Sequence, residues 1–173
     1  MIIMFTKADI EKYFLAEKQA GLLFLVIGAA AVVLAIIFFF ALKTNFYKGA
    51  ALPLLIVGLL ECVIGFTVYK RSDGDRVRNV YAYDMNPGQL KQEELPRMKK
   101  VTRSFVMIKW VEIVLALAGI GLAFYCKAHP EKSFWYGLGI TLAIQAIIAL
   151  GADYYAEKRA LVYTKGLESH LSK

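Results

Sequence analysis

Five polar side chains interrupt runs that are otherwise apolar: Glu61, Lys109, Glu112, Gln145 and Asp153. An ionisable group within a membrane span is costly, and it marks a functional site by default. Glu61 stands eight residues before Tyr69 and Glu112 eight residues after Ser104, so at the helical rise each lies about 12 Å from the cytoplasmic end of its span. Gln145, ten residues before Tyr155, lies about 15 Å deep. Lys109 is one turn shallower than Glu112 and on the same helix face, and Asp153 is near the cytoplasmic surface on a face shared with Gln145 and Ala149. Three helices thus bring polar groups to one layer of the cytoplasmic half.

Two chemistries fit such a layer. In the first, it is structural: Lys109 neutralises Glu112 or Glu61, and Gln145 satisfies the remaining acceptors, with contacts worth about 0.6–2 kcal/mol each. In the second, it is a proton or cation site reached from the cytoplasm, whose carboxyls titrate as a coupled set. Other chemistries lack their residues. His129 and His170 stand alone, and no Cys or His pair has metal-ligand spacing. G-x-x-x-x-G-K-[ST], G-x-G-x-x-G and G-x-S-x-G do not occur. Cys62 and Cys126 fall at different depths without a C-x-x-C, which excludes a disulfide and a thiol oxidoreductase. The sequence therefore points to a non-enzymatic protein with no metal and no cofactor.

The elements that carry these residues follow from composition. Of 173 residues, 58% are hydrophobic, and the mean hydropathy is +0.51. So much apolar surface cannot be buried in one soluble domain of this size, and disorder and a disulfide scaffold are equally excluded. Four apolar runs, about Gly21–Leu42, Gly49–Tyr69, Phe105–Cys126 and Phe134–Tyr154, each supply the roughly 20 residues a transmembrane helix needs. The expected fold is all-α, a single four-helix transmembrane domain. Pro53 falls early in the second helix, where a missing N–H costs least.

Basic residues set the orientation. Sixteen Lys and Arg fall before the first span, between the second and third, or after the fourth; four (Lys43, Lys48, Lys127, Lys132) fall in the two short connections. The positive-inside rule then places both termini and residues 70–104 in the cytoplasm of a multi-pass inner-membrane protein. The net charge of +7 reads as topology and contact with anionic lipid, not as nucleic-acid binding. The first 20 residues mix Asp9, Glu11 and Glu17 with lysines, unlike a secretory signal, so the first run is expected to remain as a helix.

Thr6 and Asp9 have capping-box spacing, with Phe5 and Ile10 placed as a hydrophobic staple. Ile10, Tyr13 and Phe14 share one face, which predicts an amphipathic helix lying at the membrane interface. Residues 70–104 read as a cytoplasmic loop with turn signals at Ser72–Asp75 and Asn86–Gly88. Val77–Tyr83 fits either a helix or a short strand, Gln89–Glu94 a helical turn, and Pro96 the first position of a helix entering the third span. Gly166 fits the residue that ends the last helix.

The layout repeats: lead-in, span, aromatic outer connection, returning span. Asn45–Gly49 (NFYKG) parallels Ser133–Gly137 (SFWYG), which predicts two tandem helical-hairpin halves and an internal repeat. Phe46, Tyr47, Trp135 and Tyr136 also suit an interfacial aromatic belt. Gly28–Ala31 and Gly119–Gly121 allow close helix approach, and the first span, with no polar side chain, suits lipid or a homo-oligomer contact. Two functions follow. The first is protein binding through residues 70–104, as an accessory subunit or an immunity-type protein. The second is a small proton- or cation-coupled transporter or channel that uses Glu61 and Glu112.

Overall fold

The computed structural model describes residues 5–172, which form four long helices and, among the described residues, no strand. They are α1 (Lys7–Leu42), α2 (Asn45–Met85), α3 (Pro87–Cys126) and α4 (Pro130–Leu171), all long and apolar enough to cross a membrane. Their 36 to 42 residues span about 54–63 Å, roughly twice a hydrocarbon core of about 30 Å. Each helix therefore carries both an apolar stretch and a long extension at the end of the bundle that holds the α2–α3 turn. Large apolar side chains such as Leu23, Val63, Val114 and Ile148 are exposed along the apolar stretches.

The extensions differ from the expected loop. Residues 70–104 are helical apart from Asn86, the hairpin turn between α2 and α3, whose Oδ1 accepts the Gln89 N–H at 3.3 Å. The Ser72–Asp75 turn signal instead lies inside α2. The Ser72 hydroxyl donates to the Val68 carbonyl at 2.6 Å, Asp73 pairs with Lys18 of α1, and Asp75 pairs with Arg78 at 2.8 Å. Each polar group finds a partner along or between helices, so none is left to turn the chain. Gly74 has nothing within 4 Å of where a Cβ would sit. Gly74→Ala is therefore expected to raise stability by about 0.5–1 kcal/mol, read as a higher melting temperature in detergent.

Val77–Tyr83 is helical, not a strand. Pro96 stands in the first turn of the α-helical stretch Leu95–Cys126, as expected, but no break precedes it: a wide π turn at Leu90–Glu94 leads directly in and accommodates the missing N–H and the ring. Gly166 does not end α4, which runs on to Leu171. Its role is contact, since a Cβ there would stand 2.5 Å from Cδ2 of Phe5.

The N-terminal capping box forms. The Asp9 carboxylate accepts both the Thr6 N–H and the Thr6 hydroxyl at 2.8 Å. The helix it opens does not present its apolar face to a membrane interface, however. It continues straight into the first span, and Ile10, Tyr13 and Phe14 are buried with Ala82, Leu90, Met98, Ala160 and Leu167 of the other three extensions. Phe5 and Ile10, the staple pair, join this core. The apolar faces of three neighbouring extensions cover that helix face instead.

Along the apolar stretches the helices pair through small residues. Gly21 meets Gly65 and Gly28 meets Gly58 between α1 and α2; Gly119 meets Gly139 between α3 and α4. Gly121 meets nothing within 4 Å and has no part in this packing. The two hairpins join at the far end through a reciprocal contact. A Cβ on Gly49 would fall 1.9 Å from the Phe134 carbonyl oxygen, and one on Gly137 would fall 2.1 Å from the Phe46 carbonyl oxygen. Phe46 and Tyr136 also face each other there, with ring centroids 5.8 Å apart.

Candidate functional site

The hairpins meet at both ends and part between them. The gap is a cleft of about 570 Å³ with contributions from all four helices. Most of its wall is apolar, built from side chains such as Phe24, Leu60, Ile64, Phe105 and Ile108. Three carboxyls enter it: Glu61 from α2, Glu112 from α3 and Asp153 from α4. Sequence depth had put Glu61 and Glu112 in one layer, and both line this cleft. One carboxyl oxygen of each is buried with no hydrogen-bond partner, and Glu112 is only 8% exposed. The Glu112 and Asp153 carboxyls neighbour each other across α3 and α4, while Glu61 stands on the α2 wall. None of the three forms an ion pair among the described residues.

The expected neutralising role of Lys109 is not seen. Its ammonium pairs with Glu157 of α4 at 2.6 Å and does not line the cleft. Glu157 lies one turn beyond Asp153, so Lys109 reaches out toward the end of its span instead of inward, the direction in which a long cationic side chain keeps its head solvated. Gln145 likewise does not line the cleft, and its carbonyl oxygen is buried without a partner. The polar layer is thus three carboxyls without a basic partner in one apolar cleft, with Lys109 and Gln145 outside it.

At its end nearest the helix extensions, Arg97, Lys100 and Arg159 line the cleft with Glu17. Glu17 accepts a hydrogen bond from Arg71 at 2.9 Å, and its other carboxyl oxygen is buried without a partner. Burial pushes the Glu17 carboxyl up, against the opposing pull of Arg71 and Arg97. Arg97 is gripped at 2.8 and 2.7 Å by both carboxylate oxygens of Glu94, itself 2% exposed, and lies over the Phe14 ring. Burial works against the guanidinium charge, and Glu94 more than offsets it, holding Arg97 protonated. Beside them Tyr13 and Tyr163 stack with centroids 4.2 Å apart and planes 9° from parallel. Burial pushes both phenols up, so they stay neutral hydroxyls.

Sequence reasoning passed over Glu17, Glu94, Arg97 and Glu157. Glu157 carries a usable signal, since it continues the Gln145–Ala149–Asp153 face by one more turn. The others sit among many surface charges, and only the long-range fold shows which of them are buried.

Such a cleft holds buried carboxyl oxygens with no cation of their own in a largely apolar wall, with fixed charges at one end. It is suited to taking up a proton or a small cation. Among the described residues, no group of three or more His, Cys, Asp or Glu side chains stands where it could hold a metal ion. Compared with known proteins, the chain matches no family model, no curated protein and no solved structure.

Proposed function

We propose that this chain is a multi-pass protein of the cell inner membrane whose inter-hairpin cleft carries a proton or a monovalent cation as a small transporter or channel. The observation that carries this reading is the convergence of Glu61, Glu112 and Asp153, without basic partners, on one apolar cleft. A purely structural cluster would be expected to pair Lys109 with these carboxyls, and Lys109 pairs with Glu157 instead. The charge asymmetry of the sequence supports an orientation with both termini and the α2–α3 turn in the cytoplasm, which puts the Glu17–Arg97 end of the cleft on that side. The reciprocal Gly49–Phe134 and Gly137–Phe46 contacts, at matching places in NFYKG and SFWYG, support descent from a duplicated hairpin. The protein acts without enzymatic chemistry.

The test is flux by the purified full-length chain in liposomes of neutral and anionic phospholipid. An imposed pH or potassium gradient is expected to collapse faster than in protein-free liposomes, with no partner added. A gradient held as well as by protein-free liposomes would overturn the proposal.

One observation favours a second reading, docking of a protein partner. Val77, Tyr81 and Met85 form a stripe at i, i+4 and i+8 on the extension of α2, and they are 64%, 63% and 71% exposed. They lie beyond the apolar run that ends at Tyr69, where lipid does not cover them. An accessory-subunit or immunity-type role would use this stripe, and substitution of Tyr81 would then abolish function without touching flux.

A further inference from the structure

A second hollow, of about 760 Å³, lies between the extensions of α1 and α4. Phe5, Tyr13 and Tyr163 give it an aromatic lining, and four cations rim it: Lys12 from α1 with Lys158, Arg159 and Lys165 from α4. Asp9 is its one carboxylate. None of the four cations forms an ion pair among the described residues; Lys70, Lys91, Lys100 and Arg103 of the extensions are unpaired as well, but these four gather round one hollow. Cations left unpaired beside a largely apolar hollow lack an anion that the protein itself does not supply.

Position says what the anion is. The hollow begins at Tyr155, which is 65% exposed and follows directly on the last apolar run. Lys158 and Arg159 stand about one turn, or 5–6 Å, above it, at the depth of lipid phosphates. Val162, 69% exposed, and Lys165 continue the same face of α4 outward. A tyrosine at the membrane boundary with cations directly above it is the arrangement that interfacial lipid contact selects.

We propose that this groove seats the headgroup of an anionic phospholipid of the adjacent leaflet, with Lys158 and Arg159 on the phosphate and Lys12 and Lys165 on the outer part of the headgroup. The site rests on the reading that the helices span a membrane, but not on flux through the cleft. Arg159 also lines the inter-hairpin cleft, so a lipid seated here neutralises one of the three cations at the Glu17 end of that cleft.

Native mass spectrometry of the full chain in neutral detergent, titrated with phosphatidylglycerol or phosphatidylcholine, tests this. Two charge-matched variants are compared: Lys12→Gln/Lys158→Gln/Lys165→Gln in the groove, and Lys70→Gln/Lys91→Gln/Arg103→Gln outside it. Wild type and the outside variant are expected to bind one phosphatidylglycerol about tenfold or more tightly than phosphatidylcholine, and the groove variant is expected to lose that preference. Equal loss in both variants would mean general charge attraction and overturn the site, as would retention in the groove variant. Displacement of the lipid by millimolar inorganic phosphate would assign the groove to a soluble anion and overturn the lipid proposal. A chain that stays monodisperse with no detergent would overturn the membrane reading itself, and this is seen before any lipid is added.

Discussion

Replacing Gly49 with Val is expected to lower stability by about 1–3 kcal/mol, the range for forcing atoms into a packed contact. The cause is specific. A Cβ at Gly49 would sit 1.9 Å from a backbone oxygen, Phe134 O, and 2.7 Å from its carbonyl carbon, so no side-chain rotation relieves the overlap and α4 itself must move. Gly137→Val presses on the reciprocal point, 2.1 Å from Phe46 O. Once the hairpins have been forced apart at this end, the second substitution adds little, and the double variant is expected to fall short of the sum. Gly121→Ala, with nothing within 4 Å, is the control and is expected to be neutral or mildly stabilising. Reactivity of the buried Cys126 thiol toward a fluorogenic maleimide during heating reports unfolding at this same end, since Cys126 is 3% exposed in the fold. A Gly49→Val protein that melts like wild type would mean the hairpins do not meet there.

Arg97→Ala is expected to cost more, about 3–5 kcal/mol, the usual penalty for stripping one member from a buried ion pair. It leaves the Glu94 carboxylate buried without its bidentate partner and opens a gap beside Phe14. The double variant Glu94→Leu/Arg97→Met is expected to be markedly more stable than Arg97→Ala alone. Two desolvated charges are then replaced by apolar groups of similar size, a change that is often neutral or better. The double-mutant cycle, measured by chemical denaturation in detergent, gives the coupling energy. Equal destabilisation in Arg97→Ala and the double variant would show that packing alone, not the charge pair, holds this corner of the core.

The sequence read the apolar architecture well because its determinants are local. Four long apolar helices follow from four long apolar runs, the helix start from Thr6 and Asp9, and the hairpin turn from Asn86-Pro-Gly88. Depth along each helix puts Glu61 and Glu112 in one layer, but it adds Gln145 and leaves Asp153 near the surface, whereas the cleft takes Asp153 and leaves Gln145 out. What escaped depends on partners distant in sequence. Ser72–Asp75 carries turn-forming residues, yet Lys18, 55 residues away from Asp73, and the intrahelical bonds of Ser72 and Asp75 keep α2 intact. The face of Ile10, Tyr13 and Phe14 has the pattern of an interfacial helix, and the same pattern serves a protein core once three more extensions surround it. Spacing along one helix offers Glu112 to Lys109, and depth offers Glu61, but its partner Glu157 lies on another helix. Gly166 reads as a helix stop only while Phe5 is unseen.

The cleft carboxyls are tested most directly by flux through the Gln variants in liposomes, run beside a melting curve for each protein. Glutamine keeps the size and hydrogen-bonding capacity of the glutamate but carries neither the charge nor the exchangeable acid proton. Glu112→Gln is therefore expected to abolish proton or cation flux while leaving the melting temperature close to that of wild type, and Glu61→Gln to impair flux on the same terms. Wild-type flux in both Glu112→Gln and Glu61→Gln would contradict a carrier role for the inter-hairpin cleft.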